Sequence, residues 1–220
     1  MGFLVYTSIY VRMDYTLHIQ NSIDATLRGE SRLDDYARTI HGMSSIKVRS
    51  LLNFLLNIPD ARYLEIGVWK GSTFYSALVN NNPTYAIAID NWSEFGGPFT
   101  EFEQNLKVLP STIQRTFYSG DCFDPTVKNK IDKKFNIYFY DGGHSLDQQR
   151  QALTEYVHCM DNEFIYICDD WNWPNVIQGT YQGISQSNLQ IVKEWTLPAD
   201  FNGDTQNWWN GLWVAQLRKI

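Results

Sequence analysis

From residue 62 onward, short apolar runs alternate with amphipathic stretches. The runs are Tyr63–Ile66, Tyr85–Ile89, Arg115–Tyr118, Phe135–Tyr140 and Phe164–Cys168, each rich in Ile, Tyr or Phe. Most lack the polar alternation of a half-exposed strand, which predicts buried parallel strands. Between them the spacing predicts helices over Ser72–Asn80, Phe99–Val108 and Ser145–Met160. In the last of these, Leu146, Arg150, Leu153, Val157 and Met160 recur at helical intervals, and Ser145 with Gln148 makes a capping-box pattern at its start. Upstream, helices are expected over Ser31–Ile40 and Ser44–Leu56. The second carries an apolar stripe of Ile46, Leu51, Leu52, Leu55 and Leu56, and Pro59 stops it. Residues 1–45 are otherwise polar and irregular, and read as an N-terminal helical segment or cap on a domain over 46–220. At the other end, Gln190–Leu197 and Leu212–Leu217 read as an antiparallel pair at the sheet edge, joined by a loop holding Pro198, Gly203 and Gly211. The whole predicts an α/β chain: a doubly wound sheet of seven strands, mostly parallel with an antiparallel edge strand, and helices on both faces.

Composition narrows the class. The chain has 220 residues, 44% hydrophobic and only 19% charged, with a net charge of −6. That is enough apolar material for one core and too much for a disordered chain. The basic residues are scattered except for Lys128, Lys130, Lys133 and Lys134, read as a solvated loop, so no nucleic-acid partner is expected. No apolar run reaches membrane-spanning length. The apolar start, Met1 to Tyr6, lacks a basic region and a cleavage site, and Tyr6 breaks the myristoylation pattern after Gly2. Three cysteines, Cys122, Cys159 and Cys168, without CxxC spacing are expected as reduced thiols of a cytoplasmic protein.

The candidate chemistry sits at strand ends. After the first strand, Glu65-Ile66-Gly67-Val68-Trp69-Lys70-Gly71-Ser72 has the spacing of a turn that lets backbone approach a ligand before a helix opens at Ser72. A plain strand-to-helix turn would carry the same glycines. The acid two residues before Gly67 suits a cationic amino-acid group better than a pyrophosphate, and the third glycine of the dinucleotide fingerprint is missing. The second strand ends in Asp90, placed to take the two hydroxyls of a ribose, or simply to cap a turn. The third ends at Gly120-Asp121, where Asp121 suits an adenine amino group or an ordinary Asp turn. The fourth and fifth end in Asp141-Gly142-Gly143-His144 and Asp169-Asp170-Trp171. A right-handed crossover makes these strands parallel, so the three acids can converge on one hard cation such as Mg²⁺. Helix capping would explain single acids there, but the doubled Asp169-Asp170 poorly. His144, just before a helix, is the candidate general base.

Five motifs in this order, E-I-G-V-W-K-G-S-T (65–73), A-I-D-N-W (88–92), S-G-D (119–121), Y-D-G-G-H-S (140–145) and C-D-D-W (168–171), resemble the class I S-adenosylmethionine-dependent methyltransferases over residues 42–218. The last two resemble the metal-dependent macrocin O-methyltransferase group, and catechol O-methyltransferases use a related metal arrangement. The resemblance implies a Rossmann-like methyltransferase sheet. It implies that Glu65, Gly67 and Gly71 hold the methionine part of S-adenosylmethionine, that Asp90 binds the ribose and that Asp121 binds the adenine. Ser72, Asn91, Trp92, Cys122 and Asp141 complete the expected cofactor set. Asp141, Asp169 and Asp170 would ligate Mg²⁺, and His144 with Asp141 would be catalytic. Gly42-Met43-Ser44-Ser45 is similar to the segment that packs on the cofactor ahead of the core. The chain lacks the large N-terminal extension of the macrolide enzymes, so their substrate pocket does not carry over, and a hydroxylase homologue with similar ligands separates ligand set from reaction.

The expected function is Mg²⁺-assisted O-methylation of a small-molecule or glycan hydroxyl, releasing S-adenosylhomocysteine. The alternatives are an NAD-dependent oxidoreductase and a non-catalytic S-adenosylmethionine-binding module. Of the eight tryptophans, Trp69, Trp92, Trp171 and Trp173 follow strand ends. Trp92 is expected to frame the cofactor, and Trp171 or Trp173 the acceptor. Trp208, Trp209 and Trp213 flank the last strand and suit an edge or a homodimer contact.

Overall fold

A computed structural model describes residues 13–220. The expectations for Met1 to Tyr6 and for Gly2 lie outside the described residues. Seven strands form one sheet: β1 (Arg62–Ile66), β2 (Tyr85–Asp90), β3 (Arg115–Ser119), β4 (Phe135–Tyr140), β5 (Met160–Cys168), β6 (Leu189–Leu197) and β7 (Leu212–Lys219). Their order is β3-β2-β1-β4-β5-β7-β6. Pairing is parallel from β3 through β5, and β7 runs antiparallel to both neighbours. The antiparallel pair closes that side as expected, with β7 inserted inside β6.

Strand residues alternate between two cores, as the period of a pleated sheet requires. Tyr63, Ala88, Ile137, Phe139, Ile165 and Val214 face one side, with helices α1 (Tyr15–Leu27), α2 (Asp35–Thr39), α3 (Ile46–Leu55), α4 (Ser72–Leu78) and α5 (Phe99–Leu106). Leu64, Ile89, Tyr138, Tyr166, Cys168 and Trp213 face the other, with α6 (Pro125–Lys128), α7 (Leu146–Thr154) and α8 (Pro174–Gln186). Ile19, Ile23, Ala37 and Ile40 join the first core, so the described part of the N-terminal segment packs on the sheet. Trp195 Nε1 donates to Gln20 Oε1 at 2.8 Å, tying α1 to β6.

All five expected helices are shorter than predicted, α3 and α5 only by two or three residues. The Ser31–Ile40 pattern yields only α2, capped by Asp34. Helix α4 stops at Leu78, where the buried Asn53 amide takes the Ser76 and Val79 carbonyls at 2.7 and 2.6 Å. The Ser145–Met160 pattern breaks after α7, because Met160 already pairs with Phe135 in the sheet. Its capping box is formed as predicted. Helix α8 was not among the expected helices, although Pro174 stands at its first turn. Its Gly179 and Gly183 weaken helix propensity yet let α7 approach; a Cβ at Gly179 would lie 2.4 Å from the Leu146 carbonyl oxygen. The three cysteines are free thiols. Among the described residues, no helix is long and apolar enough to cross a membrane.

Candidate active site

The strand order reverses beside β1, which sends β2 to one side and β4 to the other. Open α/β sheets leave a crevice at such a switch point, outside the C-terminal strand ends. The register puts those ends level: Ile66 pairs with Ile89 and Tyr140, and Tyr140 with Cys168. The ladder continues one residue further, with Gly67 N–H to Ile89 O at 2.9 Å, Asp141 N–H to Ile66 O at 2.8 Å and Asp169 N–H to Tyr140 O at 3.1 Å. Four strands thus deliver Gly67, Asp90, Asp141 and Asp169 to one rim. A pocket of about 560 Å³ opens there, within the usual range for small-molecule sites.

Gly67 forms the floor with φ +87°. A Cβ there would lie 1.9 Å from the Asp141 carbonyl oxygen, so only glycine fits. The Asp90 carboxylate holds the turn: Oδ2 accepts from Val68 N–H and Trp69 N–H at 2.8 Å each, and Oδ1 from Trp92 N–H at 2.7 Å. A carboxylate has about four acceptor sites. Asp90 therefore has about one left toward the pocket. Asn91 and Asp121 also line the pocket, and Asp121 Oδ1 accepts from Phe123 N–H at 2.9 Å in an Asp turn. Cys122 lines it as a neutral thiol, because burial pushes its pKa up to about 12.

Several expected wall residues stand behind the wall. Glu65 is fully buried between Tyr63 and Thr73, whose hydroxyls donate to it at 2.5 Å each, and burial raises its pKa to about 8. It supports the turn from beneath rather than touching the pocket. Gly71, at φ +80°, lies under Phe102. Ser72 is buried against Gly42 and Ser44. The Trp92 ring sits among Phe99, Phe102 and Phe117, with Nε1 donating to Trp69 O. Trp171 stacks flat on Trp213 at 4.7 Å in the second core, so it is not a rim residue. The expectation for a tryptophan edge fails similarly. Trp208 and Trp213 are buried, while Trp209 lines the pocket. Of the expected aromatics, Trp69 and Trp173 do line it.

At the other end lie the acids. Asp141, His144 and Asp170 each offer one ligand atom, all within 4.8 Å of one another. His144 Nε2 lies 2.5 Å from Asp170 Oδ2, and its ring meets Trp173 edge-on at 4.6 Å. His144 thus stands against the expected ligand cluster rather than apart from it. Asp169 lies beneath, buried, and its Oδ1 has no hydrogen-bond partner. Burial holds the Asp141 and Asp169 carboxyls well above the usual range, with repulsion from Asp169 and Asp170 adding at Asp141 and from Asp170 at Asp169, and the two carboxyls are within hydrogen-bonding reach of each other. Unpaired buried carboxylates are costly. A bound divalent cation would remove that cost, and oxygen donors with one imidazole suit Mg²⁺ or Mn²⁺.

Sequence reading did not find Glu94, Phe95, Phe123, Gln148 or Asn210, which complete the lining. Glu94 and Phe95 follow the Asp90 strand end, a usable signal. Asn210 arrives from the β6–β7 loop, which no local motif announces.

A family model for a methyltransferase domain matches residues 64–171. No curated protein sequence matches the chain. Among solved structures, the O-methyltransferase TomG of Streptomyces achromogenes, involved in tomaymycin synthesis and bound to S-adenosylmethionine, superposes with TM-score 0.64 at 14% identity, covering 94% of this chain and 100% of its own. The Bacillus cereus O-methyltransferase bound to S-adenosylhomocysteine gives 0.61 at 10% identity, covering 96% and 94%. The Podospora anserina methyltransferase PaMTH1, also bound to S-adenosylhomocysteine, gives 0.58 at 15% identity over 100% of both chains.

Proposed function

Residues 64–171 match a methyltransferase-domain model, and on that premise we propose that the chain is a class I S-adenosylmethionine-dependent methyltransferase that methylates a hydroxyl oxygen of a small molecule or sugar, assisted by Mg²⁺ or a similar cation. The observation that carries this reading is the acid cluster. Buried Asp169 with its unpartnered oxygen, Asp141, Asp170 and His144 share one pocket with the glycine turn. The similar structures described as O-methyltransferases support oxygen as the acceptor atom.

In this reading Gly67, Asp90, Asn91 and Asp121 would hold the cofactor along the β1–β3 ends. Asp141, Asp169 and Asp170 would hold the cation, whose chemistry there would be to lower the pKa of an acceptor hydroxyl. His144, whose Nε2 faces Asp170, would accept the acceptor's proton, and Asp170 would stabilise the imidazolium that results. Trp173 and Trp209 wall the acceptor from water. Orienting both partners in attack geometry contributes on the order of 7–11 kcal/mol at best.

The test measures methyl transfer to a panel of catechols and sugar diols, with and without EDTA, beside calorimetry with S-adenosylhomocysteine and NAD. Asp169→Ala is expected to abolish the cation requirement together with most activity. His144→Ala is expected to lower turnover about 10²–10⁴-fold with cofactor affinity nearly unchanged. Activity that survives both EDTA and Asp169→Ala at wild-type rate overturns the cation role, and collapsed cofactor binding in His144→Ala makes His144 structural.

A further inference from the structure

The Asp170 carboxylate is held on both sides. Oδ2 faces His144 at 2.5 Å, and Oδ1 accepts from Asn210 Nδ2 at 2.6 Å. Asn210 comes from the segment between β6 and β7, at the far side of the sheet. Its side-chain oxygen accepts from Gly203 N–H at 2.8 Å, and its main-chain oxygen from Asn172 N–H at 2.9 Å. A backbone N–H needs an oxygen opposite it, so the amide cannot flip, and its NH₂ must point at Asp170. The surrounding segment is fixed as well. Trp171 N–H donates to Gly211 O at 3.0 Å, and Asn172 Nδ2 to Ala199 O at 2.8 Å. Lys47 Nζ ties the same segment to α3 through Asn207 Oδ1 at 2.8 Å. Asp170 itself has φ +58°, a left-handed conformation in which its side chain leaves the strand direction.

We propose that Asn210 is a positioning residue. It sets the plane of the Asp170 carboxylate, so that Asp170 converges with Asp141 and Asp169 on one cation while His144 is held beside them. The inference rests on the cation-assisted reading above. An amide is suited to the task. It donates a hydrogen bond without adding a positive charge that would compete with the cation, or a further negative charge beside three acids. Partners that orient metal ligands in this way typically set 10–100-fold in affinity.

The test is a Mn²⁺ titration of the cation-free full chain, with free ion read by electron paramagnetic resonance. Calorimetry with S-adenosylhomocysteine is run on the same preparations. Asn210→Ala is expected to weaken Mn²⁺ binding about 10–100-fold and to leave S-adenosylhomocysteine affinity within about twofold of wild type. Lys47→Ala, which unties the same loop but keeps Asn210, should bind Mn²⁺ like wild type. If Asn210→Ala does not fold, Asn210→Ser, with a donor of shorter reach, makes the same comparison. Unchanged Mn²⁺ affinity in the Asn210 variant overturns the proposal and leaves the cation reading standing. Equal losses for both ligands, or equal losses in Lys47→Ala, also overturn it, because the loop as a whole is then responsible. A wild-type chain that binds no Mn²⁺ overturns the cation reading, and the proposal with it.

Discussion

The Glu65 carboxyl is fully buried, and two hydroxyls donate to it. Burial raises its pKa to about 8 in the folded chain, against about 4.3 unfolded. The folded state therefore holds a proton that the unfolded state has lost between those values. By linkage, that contribution to stability is complete below about pH 4.3 and is lost as pH rises toward 8. The melting temperature of cation-free protein is expected to fall from pH 5 to pH 9. Glu65→Gln, which is neutral throughout, should reduce that slope when scanning calorimetry is run in EDTA. A slope untouched by the substitution would remove Glu65 as its source. The acid two residues before Gly67 was legible in the sequence. Its position beneath the turn was not, because residue spacing does not say which side of a strand end faces a pocket.

At the scale of elements, the strand ends carry the site and the loops after them decide which side chains enter it. Trp171 and Trp173 are two residues apart in one loop, yet one stacks on Trp213 in the core and the other lines the pocket beside His144. Trp171→Ala is expected to cost about 3–5 kcal/mol of stability, read by urea unfolding. Trp173→Ala should cost little stability and raise the KM for the acceptor. The opposite pairing, a stable Trp171→Ala with impaired acceptor kinetics, would show that the loop places these rings the other way round. Helix α8 belongs to the same lesson. Its two glycines oppose helix formation locally, and only close contact with α7 explains them.

For the whole molecule, the acid cluster couples ligand binding to stability. A cation that binds only the folded chain raises its stability by about 2.7 kcal/mol at a hundred times its dissociation constant. For a chain of this size that is roughly 2–4 °C in melting temperature per kcal/mol. Because Asp141 and Asp169 hold protons more tightly than usual, the cation must displace them. The thermal shift with Mg²⁺ or Mn²⁺ is therefore expected to be larger at pH 8.5 than at pH 6, and a shift independent of pH would count against those two acids as ligands. The sequence by itself determined the five parallel strands, the glycine turn and an acid at each strand end. Strand burial and sharp turns write a local pattern of apolar runs, glycines and acids. Only the tertiary structure decided which tryptophans face the pocket, that Asp90 gives most of its acceptor sites to backbone N–H groups of Val68, Trp69 and Trp92, that His144 lies against Asp170, and that Asn210 reaches the acids. Those facts depend on contacts between segments distant in the chain, and packing, not residue spacing, sets them.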